Sequence, residues 1–266
     1  MAHLLRPSSW SAAFAIGFAM FAASAAPCAA QDQACQFEVS LPGSRTSTHK
    51  IDAPGIYCLT TDVNMAPSFT FGNAVEIEAN NVLLDLNGHK IGGQGAGLGT
   101  MAIGIRALHR KNVTIKNGTI RGFFTGIDLT DESSAGHVVE GVRLDSNTRT
   151  GMALEGVGHI VRGNQIVNTG GTTALGPDAD AIAINVQGSS GVRLLNNDVI
   201  GVAPTGTGVG RAIFLSGGAV DALIVENRIT DADRGVEILG SGKFRDNLTV
   251  NVDNPFSGGT NVGGND

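Results

Sequence analysis

The chain has 266 residues with 18 lysines and arginines against 24 aspartates and glutamates, which gives a formal net charge of −6 at pH 7. This acidic balance argues against a nucleic-acid partner and, more weakly, against unaided binding of a polyanionic sugar polymer. Trp10 is the only tryptophan and Tyr57 the only tyrosine, so the flat aromatic platforms that often bind neutral sugars are scarce.

Residues 1–30 have the composition of a secretory signal peptide. Arg6 supplies a positive start, the stretch from Ser11 to Ala26 is apolar and uncharged, and small residues surround Ala30. Cleavage after Ala26 or Ala30 would give a secreted or periplasmic protein with no membrane segment. A retained membrane anchor is the alternative, but the apolar stretch is short for a span.

Two cysteines follow the signal. Export would place Cys35 and Cys58 in an oxidising compartment, so we predict a disulfide between them. Residues 31–73, which contain both, are predicted to cap the end of the repeat array that follows. Repeat arrays need such caps because an exposed end leaves strand edges unpaired. Two free thiols are the alternative.

One short strand pattern recurs through the chain, with an aliphatic residue or methionine at its second position and an aliphatic residue at its fourth. Its seven copies begin at Ala74, Ala102, Gly126, Gly151, Ala181, Ala212 and Gly235 and lie 23 to 31 residues apart. This alternation indicates a strand with one buried face. Each copy is followed by a second strand and then by a third, shorter apolar segment. The bends between them are rich in asparagine and glycine.

Three short strands and three bends in about 27 residues predict one coil of a right-handed parallel β-helix. We therefore predict an all-β solenoid of about seven coils over residues 74–250, with residues 251–266 as a C-terminal tail. Asparagines that recur at one bend are expected to bond to one another between coils. The sequence does not contain the consensus of a leucine-rich repeat, and its repeat unit is too short for a propeller blade.

The outward positions of the first strand mix carboxylates with small residues. The third positions of the seven copies are Glu76, Gly104, Asp128, Ala153, Ala183, Phe214 and Glu237. Asp128 is a candidate for substrate binding, and with Glu155 in the next coil it could form an acid and base pair. Two independently solvated carboxylates are the simpler interpretation.

Glycine-rich inserts precede the first strand in three units, at residues 92–101, 169–180 and 201–211. We predict that they share one corner of the solenoid. The last two belong to adjacent coils and could wall a groove, or they could serve only as turns. Asp180, Arg211 and Arg234 directly precede the first strand in three consecutive units, so parallel stacking would place them about 4.8 Å apart.

The charged residues of this region form the candidate site. The candidates for catalysis are Arg211, Arg234 and Lys243, and the candidates for substrate binding are Asp178, Asp180, Asp128 and Arg245. A carboxylate beside stacked cations suits the binding of a uronate or a proton transfer. A surface ion ladder that only sets register is the alternative. As a surface arginine, Arg211 is expected to contribute little to stability.

Several sharp motifs are missing, among them a zinc motif, a nucleophile elbow and a phosphate-binding loop. His137 and His159 each begin a second strand and are expected to stack, which offers only a weak basis for a metal site. The aspartates within 178–180 and 231–233 could contribute ligands to Ca²⁺, but neither segment carries a full set of oxygens. No cofactor is required by the sequence, and calcium is kept as a candidate.

Two segments carry a family resemblance. With the repeats, NNVLLDLNGHKI from Asn80 and KNVTIKNGTIRGF from Lys111 resemble the right-handed β-helix proteins of the pectin-lyase-like superfamily. That superfamily includes pectate, pectin and alginate lyases, polygalacturonases, mannuronan epimerases and phage tailspikes. The matching residues are core and corner residues. The Gly-His-Gly and Arg-Ile-Lys signature of polygalacturonases and the Asp-Pro-His-Glu motif of the epimerases are absent, so no catalytic residue transfers by motif.

The resemblance implies one of two functions. The first is a polysaccharide lyase acting on an acidic polysaccharide, in which a cation or calcium neutralises the uronate carboxylate and a lysine or arginine removes the adjacent proton. The second is a non-catalytic exported β-helix that binds glycan or a surface partner. The many enzymes among the members of this superfamily favour the enzyme. The missing motifs, the acidic charge and the few aromatic residues favour the binding protein. The sequence leaves the substrate and the oligomeric state open.

Overall fold

The computed structural model describes residues 35–41 and 43–266, and the predicted signal peptide lies outside them. The described chain contains 22 strands and one short 3₁₀ turn, Gln94–Ala96. None of its helices is long and apolar enough to cross a membrane. The all-β class predicted from the sequence is confirmed.

The strands are short at the N-terminal end and longest at the C-terminal end. In chain order they are β1 (Phe37–Val39), β2 (Ser44–Arg45), β3 (His49–Ile51), β4 (Gly55–Leu59), β5 (Val63–Met65), β6 (Asn73–Ile77), β7 (Val82–Asp85), β8 (Lys90–Gly92), β9 (Ile103–Arg106), β10 (Val113–Arg121), β11 (Thr125–Leu129), β12 (Val138–Asp145), β13 (Thr150–Val157), β14 (Ile160–Arg162), β15 (Gln165–Gly170), β16 (Ala181–Ser190), β17 (Arg193–Leu195), β18 (Asp198–Ala203), β19 (Gly210–Ser216), β20 (Ala222–Val225), β21 (Arg228–Arg245) and β22 (Leu248–Asn261).

These strands stack in three parallel sheets around one core. Sheet 1 runs β3, β6, β9, β11, β13, β16, β19, β21, β22. Sheet 2 runs β1, β4, β7, β10, β12, β14, β17, β20, β21, β22. Sheet 3 runs β2, β5, β8, β10, β12, β15, β18, β21, β22. Each residue therefore stacks on the residue one coil later, as in a solenoid.

The core is a set of aliphatic columns that run along the solenoid axis. In sheet 1, Ile127, Met152, Ile184 and Ile213 follow one another in register and are fully buried. Burying one such side chain stabilises the fold by about 1.5–3 kcal/mol relative to leaving it exposed. The alternating pattern of the sequence arises from this single inward face.

Buried asparagines form the predicted ladder at the corner between sheets 2 and 3. Each Nδ2 donates to the Oδ1 of the next, at 3.0 Å from Asn164 to Asn197 and at 2.9 Å for Asn197 to Asn227, Asn227 to Asn247 and Asn247 to Asn265. Each Oδ1 also accepts the backbone N–H of the preceding asparagine. The ladder therefore satisfies the polar groups of a buried corner in every coil that it crosses.

His137 and His159 stack as expected, with ring centroids 4.9 Å apart and planes at 9°. His137 Nδ1 accepts the N–H of Val113, and His159 Nδ1 accepts the N–H of His137, both at 3.2 Å. Burial, together with the smaller effect of the neighbouring His159, lowers the pKa of His137 to about 3. Two neutral rings that accept backbone N–H groups act here as structural spacers at the start of sheet 2.

A disulfide joins Cys35 to Cys58 with a Cα–Cα distance of 5.7 Å, as predicted. It fixes β1 beside β4, where the Phe37 ring stacks on the Tyr57 ring with centroids 4.8 Å apart. The bond thus ties the first strand of sheet 2 to the coil that follows it.

The stacked strands extend beyond the seven sequence copies at both ends. β3 adds a rung to sheet 1 before residue 74, with His49 opposite Val75. β22 adds another after residue 250, with Gly258 opposite Ile238. A histidine and a glycine occupy positions that are aliphatic in the other copies, so the apolar pattern does not reveal these two rungs.

Two copies of the sequence pattern are displaced in register. Ile105 stacks on Ile127, and Ile184 stacks on Met152, so the copies assigned to Ala102 and Ala181 begin two residues too early. Because strand alternation has a period of two, a shift of two residues leaves the buried face unchanged and cannot be read from the pattern. Only the identity of the residue that stacks opposite in the adjacent coil defines the register.

Candidate functional site

The three glycine-rich inserts join into one continuous wall along the corner between sheets 3 and 1. The carbonyl of Leu98 in the first insert accepts the N–H of Thr173 in the second at 3.0 Å. Ala179 in the second and Thr205 in the third exchange backbone hydrogen bonds of 3.3 and 3.0 Å. The prediction of a shared corner is therefore correct, and the first insert belongs to the wall although it arises several coils away.

The outer surface of sheet 1 lies beside this wall. Its central column, which we call the sheet-1 face, is Glu76, Arg106, Asp128, Ala153, Asn185, Phe214 and Glu237. Arg106 and Asn185 take the places that the sequence pattern gave to Gly104 and Ala183, because of the shifted register. The face is charged at both ends and small or amide-bearing at its centre.

Asn185 lies at the centre of the sheet-1 face. The residue is only 5% exposed, and its Oδ1 accepts no hydrogen bond from any described residue. Leaving a buried acceptor unpaired costs about 1–3 kcal/mol. Ala153 and Phe214 are its neighbours in register on either side, and the oxygen itself is almost inaccessible to solvent. The described chain thus leaves one buried acceptor at the centre of this face without a donor.

Beside the wall, four charged residues and one ring form what we call the Arg211 cluster: Asp180, Arg211, Phe214, Arg234 and Glu237. Arg211 Nη1 donates to Asp180 Oδ2 at 2.6 Å, and its Nε donates to Glu237 Oε2 at 2.8 Å. Arg234 donates to the other oxygen of Glu237. The Arg211 guanidinium lies 4.9 Å from the centroid of the Phe214 ring, within range of a cation–π contact.

Asp180 reaches this cluster from outside the predicted stack. Arg211 and Arg234 do face each other in register, but Arg211 stacks on Ile182 rather than on Asp180. Burial raises the pKa of Asp180, but hydrogen bonds from the Val209 N–H and the Arg211 guanidinium outweigh it and lower the pKa overall. The carboxylate therefore stays ionised at neutral pH and is not suited to act as a general acid.

The Arg211 cluster balances its own charge, because two guanidiniums meet two carboxylates. The side chain of Arg211 is 14% exposed and that of Glu237 is 6% exposed. The expectation that Arg211 is a surface residue is therefore wrong, and we now expect its removal to cost more than the loss of a surface pair. Breaking a buried ion pair leaves an uncompensated charge, which is far more costly than losing a surface pair.

The other predicted site residues lie elsewhere. Asp178 Oδ1 accepts the N–H and hydroxyl of Thr207 at 2.7 and 3.0 Å and so ties two inserts together. Asp128 lies on the sheet-1 face, 3.4 Å from Arg106 Nε. Lys243 and Arg245 lie on the outer surface of sheet 2. The structure thus brings Asp180, Arg211 and Arg234 together and leaves the remaining four candidates apart.

The acid and base pair considered for Asp128 and Glu155 is not formed in register. Asp128 stacks on Ala153, whereas Glu155 stacks on Gln187. Asp128 is instead 8% exposed and accepts the N–H and hydroxyl of Thr130 at 3.1 and 2.5 Å. Its hydrogen-bonding capacity is largely satisfied within its own coil.

Sequence reasoning gave no role to Glu237 and misplaced Asn185. Glu237 occupies an outward third position of the repeat, which was a visible signal, but its bonds to two arginines depend on side-chain reach. Asn185 could have been placed only by the stacking of Ile184 on Met152. Among residues 35–41 and 43–266, no group of three or more His, Cys, Asp and Glu side chains is arranged to hold a metal ion.

The architecture agrees with comparisons to known proteins. The family described as right handed beta helix region matches residues 103–266, which is more than half of the chain. The chain belongs to this family. No curated protein matches it. The crystal structure of the Dettilon tailspike protein has a similar fold, with a TM-score of 0.52 and 14% sequence identity over 79% of this chain. The match covers 47% of the tailspike chain, so this chain spans about half the length of that protein.

Proposed function

We propose that this protein is an exported β-helix that binds a carbohydrate polymer along the sheet-1 face, beside the wall of inserts. The predicted signal at residues 1–30 and the disulfide between Cys35 and Cys58 support export. The observation that carries the binding proposal is the buried, unpaired Oδ1 of Asn185 at the centre of this face, next to Ala153 and Phe214.

The face offers the contacts that a sugar polymer uses. Asn185 accepts a hydrogen bond from a sugar hydroxyl, the Phe214 ring packs against the apolar face of a sugar, and the edge of the Arg211 guanidinium donates to a ring or hydroxyl oxygen. Successive rungs are about 4.8 Å apart. A polymer lying along the solenoid axis therefore meets a new row of side chains at each coil.

Affinity electrophoresis through gels that contain defined polysaccharides tests this proposal. The Asn185→Leu variant removes the acceptor at similar volume and is expected to lose most of the retardation. The Asn64→Leu variant makes the same change at an exposed position on sheet 3 and should migrate like the unmodified protein. Equal retardation of the two variants, or no retardation by any of a broad panel of polymers, would reject the proposal.

A lyase is the second candidate, and the register of Arg211 with Arg234 beside the wall is the observation that favours it. In that reaction a base removes the proton next to the uronate carboxylate, a C=C bond forms as the glycosidic C–O bond breaks, and the departing sugar oxygen takes up a proton from the base or from water. The unsaturated product absorbs in the ultraviolet. Because Arg211 is buried in the cluster, Arg234→Gln is the better test, as the Arg234 side chain is 37% exposed. Pectate and alginate, with calcium and with chelator, are the substrates to assay. Activity that is lost in this variant while the melting temperature holds supports the lyase, and absence of product with every polyuronate excludes it.

A further inference from the structure

A notch opens at the C-terminal end of the solenoid because the last coil takes a shorter path around one corner. In β21, residues 239–242 separate Ile238 from Lys243. In β22 the single residue Gly259 separates their partners, Gly258 and Thr260. The last coil therefore does not cover the corner of the coil before it.

Two glycines make this short path feasible. Gly258 and Gly259 have φ angles of 70° and 63°, in the left-handed region that favours glycine. A Cβ on Gly258 would lie 2.0 Å from the carbonyl oxygen of Ile238. The notch is thus fixed by backbone geometry and does not depend on the position of a single flexible side chain.

The notch is a pocket of about 300 Å³ that opens to solvent. Its lining includes Asp221, Leu223, Ser241, Lys243 and Thr260. This volume is at the small end of the range for ligand sites, about 300–1,000 Å³. The pocket therefore suits a small molecule, and it combines one acid, one amine, two hydroxyls and an apolar side chain.

The two charges in the notch are not paired with each other. No carboxylate of the described chain lies within 4.0 Å of the Lys243 ammonium, and no described donor bonds to the Asp221 carboxylate. Elsewhere on sheet 2 such charges pair between adjacent coils, as Lys116 does with Asp85 at 3.2 Å. The notch thus keeps one positive and one negative group available to a ligand.

From this arrangement we propose that the notch binds a free α-amino acid in its zwitterionic form. The ligand ammonium pairs with Asp221, its carboxylate pairs with Lys243, and an aliphatic side chain packs on Leu223. A ligand with both charges and no net charge complements the pocket, whereas a simple anion would meet the like charge of Asp221. The notch lies on sheet 2, apart from the sheet-1 face, and its function does not depend on binding of a polymer there.

Amide chemical-shift titration of ¹⁵N-labelled protein tests the proposal with three probes. Leucine carries both charges, N-acetyl-leucine lacks the ammonium, and leucinamide lacks the carboxylate. Saturable shifts of the Gly242 and Lys243 amides are expected with leucine. Each analogue should bind about tenfold or more weakly, since a hydrogen bond to a charged group is lost.

Variants assign each charge to its partner. Asp221→Asn should remove the preference for leucine over N-acetyl-leucine, and Lys243→Gln should remove the preference for leucine over leucinamide. Lys111→Gln, at an exposed lysine in a distant coil, should leave all three affinities unchanged. Asn185→Leu should also have no effect, which separates this site from the sheet-1 face. Absence of saturable shifts with leucine, or equal binding of leucine and N-acetyl-leucine by the unmodified protein, would overturn the proposal.

Discussion

Arg211 and Glu237 form an ion pair across neighbouring strands of sheet 1, with Nε 2.8 Å from Oε2 and with side chains only 14% and 6% exposed. This degree of burial increases the effect that the ion pair has on the stability of the fold. A surface pair is nearly neutral for stability, whereas a buried pair holds two groups whose charges cannot be left alone. The cluster therefore braces the edge of sheet 1 beside the wall, and any ligand meets side chains that are already fixed in place.

Removal of the Glu237 carboxylate should therefore destabilise the protein strongly. We expect Glu237→Ala to lower the free energy of unfolding by about 3–5 kcal/mol, because Arg211 keeps its charge in a buried setting. Urea denaturation measures the loss. The matched control is Glu140→Ala, which breaks the exposed pair with Arg162, whose side chains are 29% and 56% exposed. That change should cost less than about 1 kcal/mol. Similar midpoints for the two variants would contradict the structural role.

Interruption of the asparagine ladder should also be costly. Asn197→Ala removes the acceptor of the Asn164 side chain and the donor to Asn227 in a corner that is fully buried. Each buried group that is left unpaired costs about 1–3 kcal/mol, so a loss of at least about 2 kcal/mol is expected. Asn254→Ala, at an exposed position in β22, should change the unfolding midpoint little. A ladder variant as stable as this control would show that water replaces the lost partners.

Acid should destabilise the protein through His137. Its pKa falls from 6.5 to about 3 on folding because the ring is buried. The unfolded chain takes up a proton as pH falls through 6.5, whereas the folded protein does not until about pH 3. This contribution to stability is therefore complete above pH 6.5 and is lost toward pH 3, with a slope of at most about 1.4 kcal/mol per pH unit.

Urea midpoints between pH 7 and pH 4 measure that slope. His137→Asn keeps a side-chain acceptor for the Val113 N–H and removes the titrating ring, so the decline in stability with acid should be shallower. His109→Asn, at an exposed ring, should not make it shallower. An unchanged slope in the His137 variant would mean that other groups account for the acid sensitivity.

Reduction should weaken the N-terminal end of the solenoid. Cys35 and Cys58 are 23 residues apart, and closing a loop of that size contributes about 3 kcal/mol by the loop-entropy estimate. Dithiothreitol should therefore lower the melting temperature of the unmodified protein. A variant with serine at both positions should start at the lower value and should not respond. Equal melting temperatures with and without reductant would show that the bond adds no stability.

Much of the fold could be predicted because each coil places the same requirements on the residues at its inward positions and corners. Inward positions must be aliphatic, corners must accept unusual backbone angles, and Asn164, Asn197 and Asn227 recur at one corner. The disulfide could be predicted from the expected export and from the two cysteines that follow the predicted signal. These features are local or periodic, and so they are visible in one sequence.

The features that were missed depend on which residues meet across coils. A shift of two residues is invisible to a pattern of period two, so Arg106 and Asn185 were placed one step away from the central column. The partnership of Glu237 with Arg211 requires knowledge of side-chain reach and burial. The joining of the first insert to the second, through Leu98 and Thr173, is a long-range loop contact with no periodic signal.

The asparagine ladder marks equivalent positions in the successive coils from Asn164 to Asn265. Asn197 and Asn227 occupy equivalent places in successive coils, so excision of residues 197–226 would bring Asn164 directly onto Asn227. The aliphatic columns of all three sheets would stay in step across that joint, because the excised piece contributes one strand to each of them. Insertion of a second copy of the same piece would lengthen the stack by one rung. The solenoid could thus be shortened or extended by one coil at a time, and the hydrogen bond between successive asparagine side chains marks where one coil can be joined to the next.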